Sequence, residues 1–497
     1  MKTRGLLWFC VLAAAELLSA ASPTFPERLP RGVSRDGDLL TVDSSVGGAG
    51  CAVHAEVDLT PFAGRALSAS IRCRGEQVVK ARESWLGMKF MLSYTDAAGE
   101  RHWPQSAAKT GSFDWTLLRF RADLAGTSAK DGKGTLTLGF QEGGGRLVFD
   151  LKSLKIEPSR EIWPRTNAEY RVGYPARVRD LPPLKGVMLP SGPCKEDDFR
   201  TLHDWGATLV RYQMCRFWGE DNANGDLADY DRWLDGKLDH LDAVVLPLAE
   251  KYGLKVVIDL HVPPGGRNGS EMNMFHDRRF ADHFIACWRR IATRFCNRRA
   301  VYGYDLINEP EQQLEALDGC DYWNLQRRAA EAVRAIDPDT TIIVESNGWD
   351  GADAFRYLSP LAMDNVIYQV HMYEPHQFTH QGVHNADRWN RVGYPNAERG
   401  WDREFIRRRL QPVLDFRQRH GARIYVGEFS AIAWGEGADR YIADCISLFD
   451  EYGFDWTYHA FREWTGWSVE HETARPGAKP VLSSDNPRMR ALKAGFR

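Results

Sequence analysis

From about Leu39 to Pro158, apolar and polar residues alternate over short runs: ALSASIRCR, GMKFMLSY, WTLLRFRADL, GTLTLGF and RLVFDLKSLKI, separated by clusters of Gly, Asp and Ser. Alternation with a period of two predicts half-buried strands, and several at this spacing predict an antiparallel β-sandwich over residues 35–158. From Leu184 the pattern changes. Near-continuous apolar runs (KGVMLP, ATLVRYQM, LKVVIDLH, VYGYDLINE, TTIIVES, NVIYQVHMY, ARIYVGEF and FDWTYHAF) take turns with amphipathic stretches. Those stretches include LDHLDAVVLPLAEKYG, RRFADHFIACWRRIATRFC, NLQRRAAEAVRAI, DREFIRRRLQPVLDFRQRHG and DRYIADCISLFDEYG, several closing on Gly or a basic turn as helix C-termini do. Strands that are apolar throughout are buried on both faces, as parallel strands are. The eight runs alternating with helices therefore predict an α/β fold, a (β/α)8 TIM barrel over residues 184–497. A stretch rich in Pro and Arg, residues 159–183, reads as the linker.

Length and charge narrow the picture. At 497 residues with 43% hydrophobic content the chain can build more than one core, and a formal net charge of −3 supplies no field that would draw in nucleic acid or an anionic membrane. The start, MKTRGLLWFCVLAAAELLSAAS, places Lys2 and Arg4 before an apolar run and then small residues. This is the layout of a signal peptide over residues 1–21, so a secreted or periplasmic protein with no membrane span in its mature form is expected. No Cys follows the small residues, which argues against a lipid anchor. Of nine cysteines one is Cys10, and the remainder show no CxxC, so neither a zinc ribbon nor a dithiol redox site is expected. Cys51 and Cys73 are the pair best placed for a disulfide, and the others read as small buried hydrophobes. No metal or cofactor is called for, and a monomer is expected. Asn268-Gly269-Ser270 fits a glycosylation acceptor in a eukaryotic host.

The chemistry gathers at strand ends. VYGYDLINEP, Val301 to Pro310, reads as a buried strand running out to Asn308 and Glu309, and a carboxylate at such an exit is rarely there for packing. ARIYVGEFS repeats the arrangement with Glu428. In a barrel both would lie on the C-terminal face, where active sites are built. Other strand ends carry Arg211, His261, His371, Tyr373, and His459 or Trp464. Singly, each has a plain explanation as an ion-pair partner or a core imidazole. Together, at one end of consecutive strands, they are hard to obtain by packing alone.

The motifs LVRYQM, VIDLHVPPGG, DLINEP, VHMYEPHQFTHQG and YVGEF, in that order, resemble those of glycoside hydrolase family 5, the cellulase-like retaining glycosidases. The resemblance implies Glu309 as general acid/base, Glu428 as nucleophile and Asn308 as the contact to the sugar 2-OH. It also implies that Arg211 and Tyr373 hold the nucleophile and that His261 and His371 line the glycone subsite. The fixed charge of Arg211 would keep Glu428 ionised, while crowding by that anion would raise the pKa of Glu309. The N-terminal segment resembles the jelly-roll modules that accompany polysaccharide-degrading enzymes, with Trp85, Trp103 and Trp115 as candidate sugar platforms.

One departure affects the substrate. The family has a Trp after strand eight that stacks on the sugar, whereas this chain has His459 there, with Trp464 or Trp467 slightly further on. Trp218, Trp349 and Trp389 fall in loops of the same face, and the polar loop from Glu374 to Asp402, with few apolar anchors, is expected to wall the subsites and set substrate length. The expectation is a secreted retaining endo-β-glycanase acting on a polysaccharide or oligosaccharide, foremost β-1,4-glucan. β-Mannan or another plant-wall glycan, a non-catalytic glycan-binding barrel and an adhesion protein built on the sandwich remain open alternatives.

Overall fold

The computed structural model of the protein describes residues 21–82, 85–124, 127–159, 169–216, 224–268 and 270–497. The expected leader, Trp218, Gly269 of the glycosylation acceptor and linker residues 160–168 lie outside the described residues. The chain divides into two compact units at Glu161 and Ile162.

In the first unit two antiparallel sheets share one apolar core. One sheet runs Val33–Asp36, Leu39–Asp43, Arg146–Pro158, Ala66–Val78, Gly111–Asp123, and the other Ala52–Asp58, Lys133–Gln141, Gly87–Thr95, Arg101–His102. Alternate residues point inward. Leu67, Ala69 and Ile71 from one sheet and Val53, Ala55, Val57, Leu136 and Leu138 from the other belong to that core and are at most 1% exposed. The period-two pattern of the sequence is thus the pleat of each sheet. The expected Cys51–Cys73 disulfide is absent. Every cysteine from Cys51 to Cys445 is a free thiol: Cys51 Sγ donates to the Arg31 carbonyl at 3.2 Å, and burial pushes the Cys73 thiol up to about 12. Trp85 and Trp103 are exposed, while Trp115 lies under the guanidinium groups of Arg72 and Arg74.

The second unit is a closed parallel barrel of the strands Lys185–Met188, Leu209–Gln213, Lys255–Asp259, Val301–Asp305, Thr341–Glu345, Val366–Met372, Ile424–Phe429 and Asp455–Tyr458, the last pairing with the first. Each falls within a run read from the sequence. Strand four stops at Asp305, however, with Leu306 N still donating to the Ile343 carbonyl at 3.2 Å, so Asn308 and Glu309 lie beyond its end. Helices follow strands one to four and six to eight: Glu196–Trp205, Leu227–His240 continuing through a π turn to Tyr252, Arg278–Phe295, Tyr322–Arg334, Arg403–His420, Ala438–Tyr452 and Pro487–Gly495. Acidic or amide caps begin many of them: the side chains of Asp226, Asp277, Asp321, Asp402 and Asn486 accept backbone N–H bonds of the first turn. After strand five there is only a 3-10 turn, Ala352–Arg356, because that segment carries Gly348, Gly351 and Pro360 and no apolar stripe at helical spacing.

The barrel interior is layered. Leu184, Leu209, Val257, Tyr302, Ile343, Ile367 and Tyr425 form an apolar cluster of their own, separate from the shell that packs strands on helices. Asp455 ties this lower end together, accepting from Leu184 N at 2.8 Å, Tyr302 Oη at 2.8 Å and the Arg423 guanidinium at 2.7 Å. Residues 169–183, read as linker, are bound to the barrel. Tyr174 Oη donates to the Val366 carbonyl at 2.6 Å and accepts from Arg423 N at 2.8 Å, and Val172 N donates to the His420 carbonyl at 2.8 Å. A chain starting at Glu169 should therefore fold to a barrel more stable than one starting at Leu184, by about 2–4 kcal/mol for the lost apolar contacts and orphaned polar groups. Urea denaturation of the two chains checks this, and equal midpoints would show that the segment contributes nothing.

Candidate active site

Inward positions recur every second residue along each strand, so the polar layer above the apolar floor follows from the sequence two residues on. Leu209 is followed by Arg211 and Gln213, Val257 by Asp259 and His261, Ile343 by Glu345, and Ile367 by Gln369, His371 and Tyr373. Strand seven needs an adjustment. Val370 pairs with Val426 but His371 with Glu428, so Gly427 is the extra residue that brings Glu428 level with His371. Only glycine fits, because a Cβ there would come within 2.3 Å of the Gln369 side chain.

Arg211, with no exposed surface, sits at the centre of this layer. Its Nε donates to Asp305 Oδ2 at 2.9 Å, Nη1 to Glu428 Oε1 at 2.7 Å, and Nη2 to Asn308 Oδ1 at 2.9 Å and Glu345 Oε1 at 3.1 Å, while Asp259 Oδ2 stands 3.3 Å away. One cation shared among so many buried carboxylates holds them unequally. Burial, with Asp350 and Asp305 beside it, pushes Glu345 well above the usual carboxylate range, and burial raises Asp350 likewise. Burial lifts Asp305 to about 6 against the pull of Arg211. Glu428 goes the other way: burial would raise it, but His371, His459 and Arg211 outweigh burial and hold it well below the usual range.

Glu309 is held at its backbone. Its φ of +49° is left-handed, a strained conformation for a residue with a Cβ, and it is fixed from both sides. Its N–H donates to Glu345 Oε2 at 2.6 Å and its carbonyl accepts from Arg267 Nη2 at 2.8 Å. The carboxylate then meets His371 Nδ1 at 3.0 Å. Glu428 Oε2 accepts from Tyr373 Oη at 2.8 Å. An oxygen of Glu309, an oxygen of Glu428 and a ring nitrogen of His371 all lie within 4.8 Å of one another. Asn308 Nδ2 faces His261 Nε2 at 3.4 Å, and His261 Nδ1 faces Asp259 Oδ2 at 2.8 Å.

The structure thus brings Arg211, His261, Asn308, Glu309, His371, Tyr373 and Glu428 together, with His371 set against Glu309 itself. His459 joins them through a 2.6 Å contact from its Nδ1 to Tyr373 Oη. Trp464 is 40% exposed, edge-on to Trp434 and Trp467, whereas Trp467 is buried against Tyr373, His380 and His459. Of the loop tryptophans, Trp349 lies under Arg267 and Trp389 under Arg391. The 374–402 loop has firmer anchors than its composition suggested, with Phe378, Tyr394 and Trp401 buried. Sequence reasoning did not single out Asp259, Asp305, Glu345, Gln369, Arg267 or Glu463. The signal was a polar residue at every second position inside strands otherwise apolar.

A closed parallel barrel with two carboxylates this close at the C-terminal ends of its strands, one pinned by an arginine and a tyrosine, has the architecture and site of a glycosidase. The chain belongs to glycosyl hydrolase family 5, whose cellulase family model matches residues 176–465. It is therefore a glycoside hydrolase. Among curated proteins it is similar to endoglucanase C of Acetivibrio thermocellus, 29% identical over 295 residues that cover 53% of this chain and 83% of the relative. It is also similar to cellodextrinase A of Ruminococcus flavefaciens, 27% identical over 285 residues, 54% of this chain and 79% of the relative. A solved glycoside hydrolase structure shares the fold with a TM-score of 0.50 and 22% identity, over 63% of this chain and 99% of that one.

Because Arg211 serves several acceptors with one planar fork, Arg211→Lys should fold less stably and lose about 100-fold or more in kcat/KM. Circular dichroism melts alongside kinetics check both, and a fully active lysine variant would show that charge alone, without the fork, holds Glu428.

Proposed function

We propose that the protein is an exported, retaining endo-β-1,4-glucanase with Glu428 as nucleophile and Glu309 as acid/base. The observation that carries this reading is the spacing of the two carboxylates, whose oxygens approach within 4.8 Å. Inverting enzymes need a gap of about 6.5–9.5 Å to admit water, whereas a separation of about 5 Å suits a double displacement. Glu428, kept ionised by its cationic neighbours, attacks the anomeric carbon. Glu309 gives its proton to the leaving glycosidic oxygen. A glycosyl ester on Glu428 results, and Glu309, now a carboxylate, takes a proton from the water that cleaves it. Asn308, oriented by Arg211 and His261, is placed to hold the sugar 2-OH. The endoglucanases among the relatives support internal cleavage of β-glucan, and no described helix is long and apolar enough to cross a membrane.

The two half-reactions test the assignment. With 2,4-dinitrophenyl β-cellobioside, whose leaving group needs no proton, Glu309→Ala should form glycosyl-enzyme in a burst and then stall, about 100-fold or more slowed, with azide restoring turnover as the β-glycosyl azide. Glu428→Ala with azide and the same 2,4-dinitrophenyl β-cellobioside should yield the opposite, α, azide, with azide displacing the phenolate directly. Exchanged anomers would reverse the two roles, and inverted product from the wild type would remove the mechanism. Substrate is read from viscosity and reducing ends on soluble cellulose, mixed-linkage glucan and galactomannan, with a fast viscosity drop on the glucans expected and cleavage of galactomannan alone overturning the glucan assignment.

Trp464, the exposed ring beside the site, supports stacking on a sugar face. Trp464→Ala should lower kcat/KM on cellotetraose by about 1–3 kcal/mol. An unchanged value would show that no sugar rests on it.

A further inference from the structure

The residue at the end of strand eight is not an indole but an imidazole, and its hydrogen bonds specify its protons. Tyr373 has one hydroxyl proton, which it donates to Glu428 Oε2 at 2.8 Å. His459 Nδ1, 2.6 Å from the same Tyr373 oxygen, must then be the donor of that contact. On the other side of the ring, Nε2 faces Glu463 Oε2 at 3.6 Å, and that carboxylate oxygen is fixed by Gln213 Nε2 at 2.9 Å. The Glu463 carboxylate on that side favours a proton on Nε2 as well, so the ring has an acceptor at Nδ1 and an anion beyond Nε2, and Nδ1 lies only 3.5 Å from the nucleophile's Oε2.

Resting on the assignment of Glu428 as nucleophile, we propose that His459 is a positioning imidazolium for Glu428 and that Glu463, acting through it, is the residue that keeps it charged. Gln213, Glu463, His459, Tyr373 and Glu428 follow one another from strand two to strand seven, joined by hydrogen bonds except for the 3.6 Å ion pair of His459 with Glu463. This series gives the nucleophile a second cation besides Arg211, one that can lose its charge where Arg211 cannot. When the glycosyl ester is hydrolysed, the C–O bond breaks with its electron pair returning to Glu428, and the restored anion forms beside both cations. His459 thereby favours the second half-reaction.

The groups that face the ring agree with this. Burial alone would push the imidazole down, but Glu428, Glu463 and Glu309 outweigh it and hold His459 above its ordinary value, while burial, with His376, His384 and His459 about it, pushes neighbouring His380 well below. Glu463 is held below the usual range: burial would raise it, and the bonds from His459 and Gln213 reverse that.

The test needs two readouts. In the full-length protein with 13C-labelled histidine, the His459 ring resonance, assigned by its loss in His459→Gln, should titrate above the ordinary imidazole value, and in Glu463→Gln its midpoint should fall by about one pH unit or more. With 2,4-dinitrophenyl β-cellobioside, whose fast first step leaves hydrolysis of the glycosyl ester to set kcat, the alkaline limb of kcat should move to lower pH in Glu463→Gln, with Glu463→Asp lying between. A His459 ring already neutral at pH 6, or a midpoint and alkaline limb indifferent to Glu463→Gln, would overturn the proposal. Failure of the glucanase reading would look different, because the substrate would not turn over while the resonance still titrated as described.

Discussion

A single guanidinium, that of Arg211, decides what the upper half of the barrel can be. It has no exposed surface and four carboxylates within 3.3 Å, contributed by strands three, four, five and seven. Removing such a cation would leave several buried charges unpaired, each at a penalty of several kcal/mol. Keeping it forces the carboxylates to share, and the sharing is uneven. Glu428, with His371, His459 and Arg211 about it, is held well below the usual carboxylate range, while burial pushes Glu345 and Asp350 above it. The ion that closes the strands around a polar layer is thus one of the three cationic neighbours that favour the Glu428 anion.

The other members have structural work to do. Glu345 sits beneath strand four and receives the N–H of Glu309, whose left-handed backbone is clamped at its carbonyl by Arg267. A conformation of this kind costs about 1–3 kcal/mol and persists only where its surroundings leave no alternative. Gln369, pressed between Glu345 and the bulge at Gly427, completes the support, since its amide contacts Glu345 on one side and His371 on the other. The strain under Glu309 and the bulge under Glu428 are the two irregularities that lift the carboxylates out of regular strands toward each other.

Much of the fold was legible because its signals are local. Eight apolar runs became eight parallel strands, and the alternation before residue 158 became a two-sheet sandwich. Glu309 and Glu428 were legible because a carboxylate closing an apolar run stands out. Asp259, Asp305 and Glu345 were not, since a single acid within a strand looks like ordinary polar punctuation until its partner is known, and that partner lies at Arg211, from 48 to 134 residues away. Glu463 meets Gln213 across 250 residues. The fifth helix was overread because alternation elsewhere suggested it, although two glycines and a proline in that segment oppose a helix. The reach of Tyr174 into the barrel was hidden for the converse reason: a segment rich in Pro and Arg resembles a linker even when one ring anchors it.

The contrast between the two glutamates follows from what holds them. In the proposed assignment Glu428, as nucleophile, must be an anion whenever substrate arrives, and it is met by Arg211, whose charge no accessible pH removes. Glu309, as the proposed acid/base, must pass a proton out and take it back in every turnover, and a permanent cation at hydrogen-bond distance would trap it as carboxylate. Glu309 has instead the imidazole of His371 against its carboxyl, and its side chain is 15% exposed against 5% for Glu428. The fixed charge thus lies against the proposed nucleophile, and the imidazole and the solvent against the proposed acid/base.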